Sequence, residues 1–161
     1  MAMRITPADI PAQLGTLYPP PFDAPCRARE RRRLGDAAGL SQFGVNLVRL
    51  PPGSWSSQRH WHRKSDEFVF ILSGEATLVT DDGPEILRPG EAAGFKAGET
   101  SGHCLQNRSD ADVVYLEIGT RIADDSGEYS DIDMIFSLTG GASYTHRDGT
   151  PYPRQERRGP A

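Results

Sequence analysis

From Gln42 onward the hydrophobic positions recur with a period of two. Phe43, Val45 and Leu47 alternate with Gly44, Asn46 and Val48, and Pro51-Pro52-Gly53 ends the run. Successive side chains of a strand point to opposite faces, so this alternation predicts a strand with one buried side. Glu67–Leu72 is the next such segment, ended by Ser73-Gly74. Ala76–Thr80 follows, and Asp81-Asp82-Gly83-Pro84 reads as a hairpin turn. Short strands are then expected at Glu85–Leu87, Ala92–Phe95, His103–Asn107, Val113–Ile118 and Asp131–Leu138. Strands about 8–12 residues apart with turn residues between them favour an all-β sandwich or barrel over βαβ units. The 17 Gly and 13 Pro interrupt the chain too often for long helices. Closure into a barrel also removes the exposed edges that so many short strands would otherwise present.

The pattern divides the chain into three stretches. Residues 1–41 read as an N-terminal arm and edge strand, because Pro7, Pro11, Pro19, Pro20, Pro21 and Pro25 favour extended backbone. Residues 42–120 hold the barrel core, and 121–161 form a C-terminal extension whose last residues, from Arg154, are expected to fray. The basic stretch Arg27–Arg33 reads as a solvated strand edge rather than a phosphate-binding patch, since no aromatic residue is interleaved with it.

Composition narrows the function classes. A chain of 161 residues is one domain with tails. The 18 Lys+Arg against 22 Asp+Glu give a net charge of -4, which argues against nucleic acid as a partner. The longest apolar run, Phe68–Leu72, is far short of the ~20 residues of a membrane span. The first fifteen residues lack the apolar core of a secretory signal, so the expected location is cytoplasmic. Cys26 and Cys104 allow at most one disulfide and are expected to be free thiols in a reducing compartment.

The chemistry concentrates between Gly53 and Asn107. His60 and His62 are two apart, so on a strand both imidazoles share a face and Trp61 takes the other. Glu67 follows after a connection short enough to fold back beside them, and two His with one carboxylate make a facial set for a divalent metal. His103, after the glycine-rich Gly98–Gly102, is the fourth candidate. Asp66 competes with Glu67 but points to the opposite strand face. Cys104 is expected to be a small buried apolar group and Asn107 a turn residue.

These residues resemble the two motifs of the cupin family. Gly53, His60, His62, Glu67 and Gly74 match the first, with one extra residue before His60. Gly90, Gly98, His103 and Asn107 match the second, with Lys96 in place of its proline and two extra residues before His103. The resemblance implies a cupin β-barrel (jelly roll), one divalent transition metal ion (Fe, Mn, Ni, Co or Zn) on His60, His62, Glu67 and His103, and frequent homodimerisation. It implies no particular reaction.

The expected function is therefore a metal-dependent enzyme acting on a small oxygen-rich molecule such as a sugar, sugar phosphate, or hydroxy or keto acid. Isomerase, lyase and dioxygenase chemistry all stay open, and the alternative is a non-catalytic small-ligand-binding or metal-stabilised module. Tyr115 and Glu117 share a strand face as a candidate proton relay. Arg49, Arg59 and Lys96 are the candidate cations for a phosphate. Trp55, Trp61 and Phe95 are bulky enough to obstruct the barrel mouth. The 67–72 segment is apolar on both faces, which predicts a homodimer, helped by the N-terminal arm, covering Phe68, Phe70 and Leu72.

Overall fold

The alternating segments form antiparallel strands. A computed structural model describes residues 2–160. Its strands are Gln13–Leu14 (β1), Glu30–Arg33 (β2), Phe43–Leu50 (β3), His60–His62 (β4), Glu67–Ser73 (β5), Ala76–Thr80 (β6), Gly83–Leu87 (β7), Ala92–Phe95 (β8), Cys104–Gln106 (β9), Val113–Thr120 (β10), Ser126–Tyr129 (β11), Ile135–Ser137 (β12) and Ser143–Thr145 (β13). One turn of α-helix, Leu34–Ala37 (α1), precedes β3. Among the described residues no helix is long and apolar enough to cross a membrane.

One sheet has the order β1-β2-β3-β10-β5-β8. Two smaller sheets, β13-β12-β11-β4 and β7-β6-β9, are joined by an antiparallel bridge between His60 and His103. The His60 amide donates to the His103 carbonyl at 3.1 Å, and the His103 amide donates back at 2.9 Å. The resulting surface faces the six-stranded sheet. Val48, Leu50, Val69, Ile71, Val113 and Tyr115 from the large sheet pack on Ala76, Leu78, Leu87 and Leu105 from the other. This is the expected all-β barrel, with alternate residues of β3, β5 and β10 turned inward.

A second apolar cluster joins the N-terminal arm to the C-terminal strands. Tyr18 and Cys26 from the arm pack with Tyr129, Met134 and Phe136. The arm has little regular structure of its own, and burial of these side chains is what holds it to the barrel. It does not lie over β5, where Phe68 and Leu72 are 42% and 45% exposed.

Some elements differ from the pattern-based expectation. Thr80 pairs directly with Gly83, so Asp81-Asp82 alone makes the hairpin loop and β7 starts two residues early. The strand expected over 131–138 shortens to β12, and β11 and β13 were not visible. Both are short and rich in Ser, Gly and Tyr, without the apolar alternation that marks a longer strand.

Gly74 ends β5 with φ of 78°, and a Cβ there meets the Asp112 carbonyl oxygen at 2.3 Å. Gly83 has φ of 107° with open space around its Cβ position. Gly74→Ala is expected to destabilise by more than about 1 kcal/mol, and by more than Gly83→Ala, because only Gly74 adds backbone overlap to conformational strain. Urea midpoints at unchanged slope test this, and equal losses for the two variants contradict it.

Candidate metal centre and its cavity

β4 and β5 are joined by residues 63–66, and this connection folds Glu67 back beneath His60 and His62. The Nε2 atoms of His60, His62 and His103 lie 3.7, 3.3 and 3.0 Å from the same oxygen, Glu67 Oε2. The ligand-type atoms of His60, His62 and Glu67 all lie within 4.8 Å of one another. His103 is not in that group of three and joins it through its contact with Glu67 Oε2. Asp66 turns away, its Oδ1 accepting the Ala97 amide at 2.8 Å. Cys104 is buried with its thiol against Gln106. Asn107 closes a turn through Leu50, Ser109 and Ala111.

The far nitrogens decide whether this set fits a metal. His60 Nδ1 lies 2.9 Å from the Gln58 carbonyl, which only accepts, so Nδ1 carries the proton and Nε2 is left as a donor of its lone pair. His62 Nδ1 lies 2.6 Å from Asp125 Oδ2 and is oriented in the same way. Metal-ligating imidazoles characteristically give the other N–H to a carbonyl or carboxylate. His103 is held differently: its ring stacks on Phe95 at 3.5 Å and 2°, and its Nδ1 is buried without a hydrogen-bond partner among the described residues. With three imidazoles and one carboxylate directed at one point, the donor set fits a divalent transition metal.

The electrostatics agree. Burial tends to raise the Glu67 carboxyl, but hydrogen bonds from His103 and His62 hold it well below the usual carboxylate range. Burial pushes His60 down to about 4, so this ring is neutral at pH 7. His62 goes the other way: burial lowers it, but Glu67 and Asp125 on its two nitrogens outweigh this and raise it to about 9. Asp125, fully buried, is kept below its ordinary value against the effect of burial by Ser65 and His62.

The cluster opens on a cavity of about 370 Å³, the size of a small-molecule site. Phe136 stands edge-on to His62 at 4.8 Å, and Tyr129 lies 5.7 Å from His60. These aromatic walls come from β11 and β12, beyond the stretch read as the barrel core, and β11 pairs residue by residue with β4. Tyr115 and Glu117 both line the cavity, as their shared strand face implies. Phe95 reaches it, whereas Trp61 lies under the Arg63 guanidinium and is absent from its wall.

The cations differ from expectation. Arg49 pairs with Glu30 and Asp112, and Arg59 with Asp81 and Asp131. Lys96 lines a second hollow, which shares His62, Glu67 and His103 with the first and has Trp61 in its wall. The cavity arginines are instead Arg29, Arg31 and Arg33, with Arg157 from the C-terminal segment. The first three belong to the Arg27–Arg33 stretch, which the sequence presented as a solvated strand edge; alternate residues of a strand share a face, and here that face lines the cavity. Asp125 had no spacing signal at all, because only folding brings it to His62.

In the metal-free protein, the stability contributed by His62 is complete below its ordinary value of about 6.5 and is lost as pH rises through about 9. Asp125→Asn removes the charge while Oδ1 can still accept the Lys64 and Ser126 amides. The His62 midpoint is expected to fall by roughly one pH unit or more in an NMR titration of the ring. An unchanged midpoint contradicts the role given to Asp125.

A family model described as a cupin domain matches residues 46–119. The chain is similar to a sugar phosphate isomerase of the cupin superfamily from Silicibacter pomeroyi. That crystal structure has 43% sequence identity and a TM-score of 0.90, and the match covers 94% of this chain and 97% of the other. A candidate sugar phosphate isomerase from Acidithiobacillus ferrooxidans is 28% identical with a TM-score of 0.70, over 79% and 81% of the two chains. Among curated proteins, an oxalate decarboxylase from Arthroderma benhamiae is 34% identical over 87 residues, 48% of this chain. The chain spans about a fifth of the length of the curated relatives it matches. Identity sustained over nearly the whole of both chains, together with the two motifs and the barrel that carries them, places this protein in the cupin superfamily.

Proposed function

We propose that this protein is a divalent-metal-dependent enzyme that isomerises a small oxygen-rich molecule of the sugar or sugar phosphate class. The observation that carries the reading is the convergence of His60, His62 and His103 on Glu67 at the wall of a cavity of about 370 Å³. The likeness to a sugar phosphate isomerase at 43% identity supports the substrate class.

A bound divalent ion supplies Lewis-acid polarisation of a substrate carbonyl or hydroxyl. The remaining work falls to the chain. Two carboxylates line the cavity; Glu67 belongs to the histidine cluster, which leaves Glu117 to hold a proton. Asn46 Nδ2 donates to Glu117 Oε1 at 2.9 Å, and the Arg31 guanidinium stands 3.6 Å from the same oxygen. A carboxylate oriented in this way is a base for moving a proton between adjacent carbons. Tyr115 lies two residues away on the same strand face, and its buried hydroxyl, near Ser56, has no hydrogen bond of normal geometry among the described residues. It is a donor available to a substrate oxygen. Phe95, Tyr129 and Phe136 give the cluster apolar walls, and low polarity there strengthens the charge interactions inside it.

Assembly as a homodimer belongs to the same proposal. Val45, Leu47, Leu116, Ile118, Phe68 and Phe70 are register neighbours on the outer face of β3, β10 and β5; Phe68 is exposed and the other five are half-buried. A continuous apolar face of this kind is unusual on a monomer. Light scattering at concentrations above micromolar is expected to give twice the chain mass, and a monomer contradicts it.

His62→Ala is expected to abolish metal uptake and sugar-phosphate isomerisation while the far-ultraviolet spectrum stays that of the barrel. Two apolar cores and the strand pairing hold the fold. Elemental analysis and proton exchange in deuterated water measure the two losses. Unfolding of the variant makes the metal structural and removes the support for an enzyme. Metal affinity of the wild type is expected to rise with pH up to about 9, because the ion displaces the proton of His62. Flat affinity over that range counts against His62 as a ligand.

A further inference from the structure

The cavity that the histidines line also carries a group of arginines. Arg29 Nη2 and Arg157 Nη1 both donate to one acceptor, the Gly15 carbonyl oxygen, at 3.2 and 2.9 Å. Two guanidinium groups are therefore held side by side by the N-terminal arm. Arg31 projects from β2 two residues on from Arg29, and all three line the same cavity. Such crowding of like charge works against folding unless something offsets it.

Among the described residues Glu117 offsets part of it, raising the affinity of Arg29 for its proton against the effect of burial. Arg31 has Glu117 at 3.6 Å, and Glu117 is already held by Asn46. Among the described residues no carboxylate lies within ion-pairing distance of Arg29 or Arg157; their contacts are backbone carbonyls. Arg33, nearer the rim, is paired with Asp36. Arg29 is 91% buried by its 9% exposure, and its Nε and that of Arg31 are buried without an acceptor. Burial lowers the affinity of Arg31 and Arg157 for their protons, and the neighbouring arginines act in the same direction. Both remain cationic, since a guanidinium keeps its charge in proteins.

We propose that Arg31 and Arg157, backed by the charge of Arg29, form a subsite for the phosphate of a phosphate monoester whose other end reaches the histidine cluster. Three guanidinium groups against the single carboxylate of Glu117 leave two positive charges, matching the dianion of a phosphate monoester near neutral pH. The planar fork of Arg suits phosphate oxygens, and the unbonded N–H groups of Arg31 and Arg157 are free to donate. Arg29 is a positioning residue, because its terminal nitrogens are committed to Ser56 and Gly15. The inference rests on the reading of the cavity as the substrate site, and it adds which end of the substrate binds where.

The test is calorimetric titration of the full-length, metal-loaded protein with inorganic phosphate, acetate, a hexose 6-phosphate and the free hexose. The expected result is binding of phosphate in preference to acetate and tighter binding of the hexose phosphate. Arg31→Gln and Arg157→Gln are each expected to weaken both phosphate ligands about tenfold, the loss of one charge-assisted contact. Arg157 lies on the C-terminal segment outside both apolar cores, so its variant stays informative if Arg31→Gln does not fold. His62→Ala is expected to keep its affinity for inorganic phosphate. Loss of phosphate binding in that variant puts the anion on the metal and overturns the subsite, as does unchanged affinity in Arg157→Gln. Binding of inorganic phosphate without the ester overturns the assignment to a monoester. Phosphate binding in a protein that takes up no metal leaves the subsite standing and removes the metal reading. Metal uptake without phosphate binding does the reverse.

Discussion

The arrangement on which the site depends is the burial of one carboxylate beneath three imidazoles. Removing the Glu67 charge from water is costly, and only close donors or cations can offset it. His103 and His62 do so at 3.0 and 3.3 Å, and His60 completes the set from 3.7 Å. The same requirement suits the cluster to the divalent ion proposed for it. A divalent ion compensates the carboxylate better than shared protons do, and Nε2 of His60 and His62 is presented by hydrogen bonds on the opposite side of each ring.

Backbone pairing supplies the precision. His60 and His103 exchange two amide–carbonyl hydrogen bonds, so the bridge that joins two of the sheets also sets two of the imidazoles side by side. β11 pairs with β4 on its other edge and delivers Tyr129 beside His60, while Asp125, just before β11, reaches His62. Residues past the core of the barrel thus orient the ligands and wall them in. The arm contributes from the opposite direction, through Tyr18 in the second core and the Gly15 carbonyl between two arginines.

The charge pattern of the cavity is polar from end to end. Its wall holds histidines with an anionic carboxylate, and guanidinium groups with few counter-charges. Glu117 lies on the inward face of β10 between them, hydrogen-bonded to Asn46 and near Arg31. The molecule proposed for it, with an anionic end and a carbonyl or hydroxyl end, complements this charge pattern. The overall charge of -4 conceals this, because net charge averages over a surface whereas a cavity selects particular side chains.

The barrel and its histidine cluster were legible in the chain because both depend on local spacing. A period of two states which residues face inward, and His60, His62 and Glu67 are close enough in sequence for a strand and one short connection to bring them together. Gly74 was legible for the same reason, as the stop of an apolar run that needs positive φ. Asp125, Tyr129, Phe136 and Arg157 were not, since each reaches the site through pairings or packing across many tens of residues, and no local pattern encodes a distant partner. The Arg29, Arg31 and Arg33 set falls between the two cases. Its alternation established that the side chains share a face, but whether that face meets water or a cavity was decided only when β2 paired with β3 and the arm and C-terminal segment closed over it.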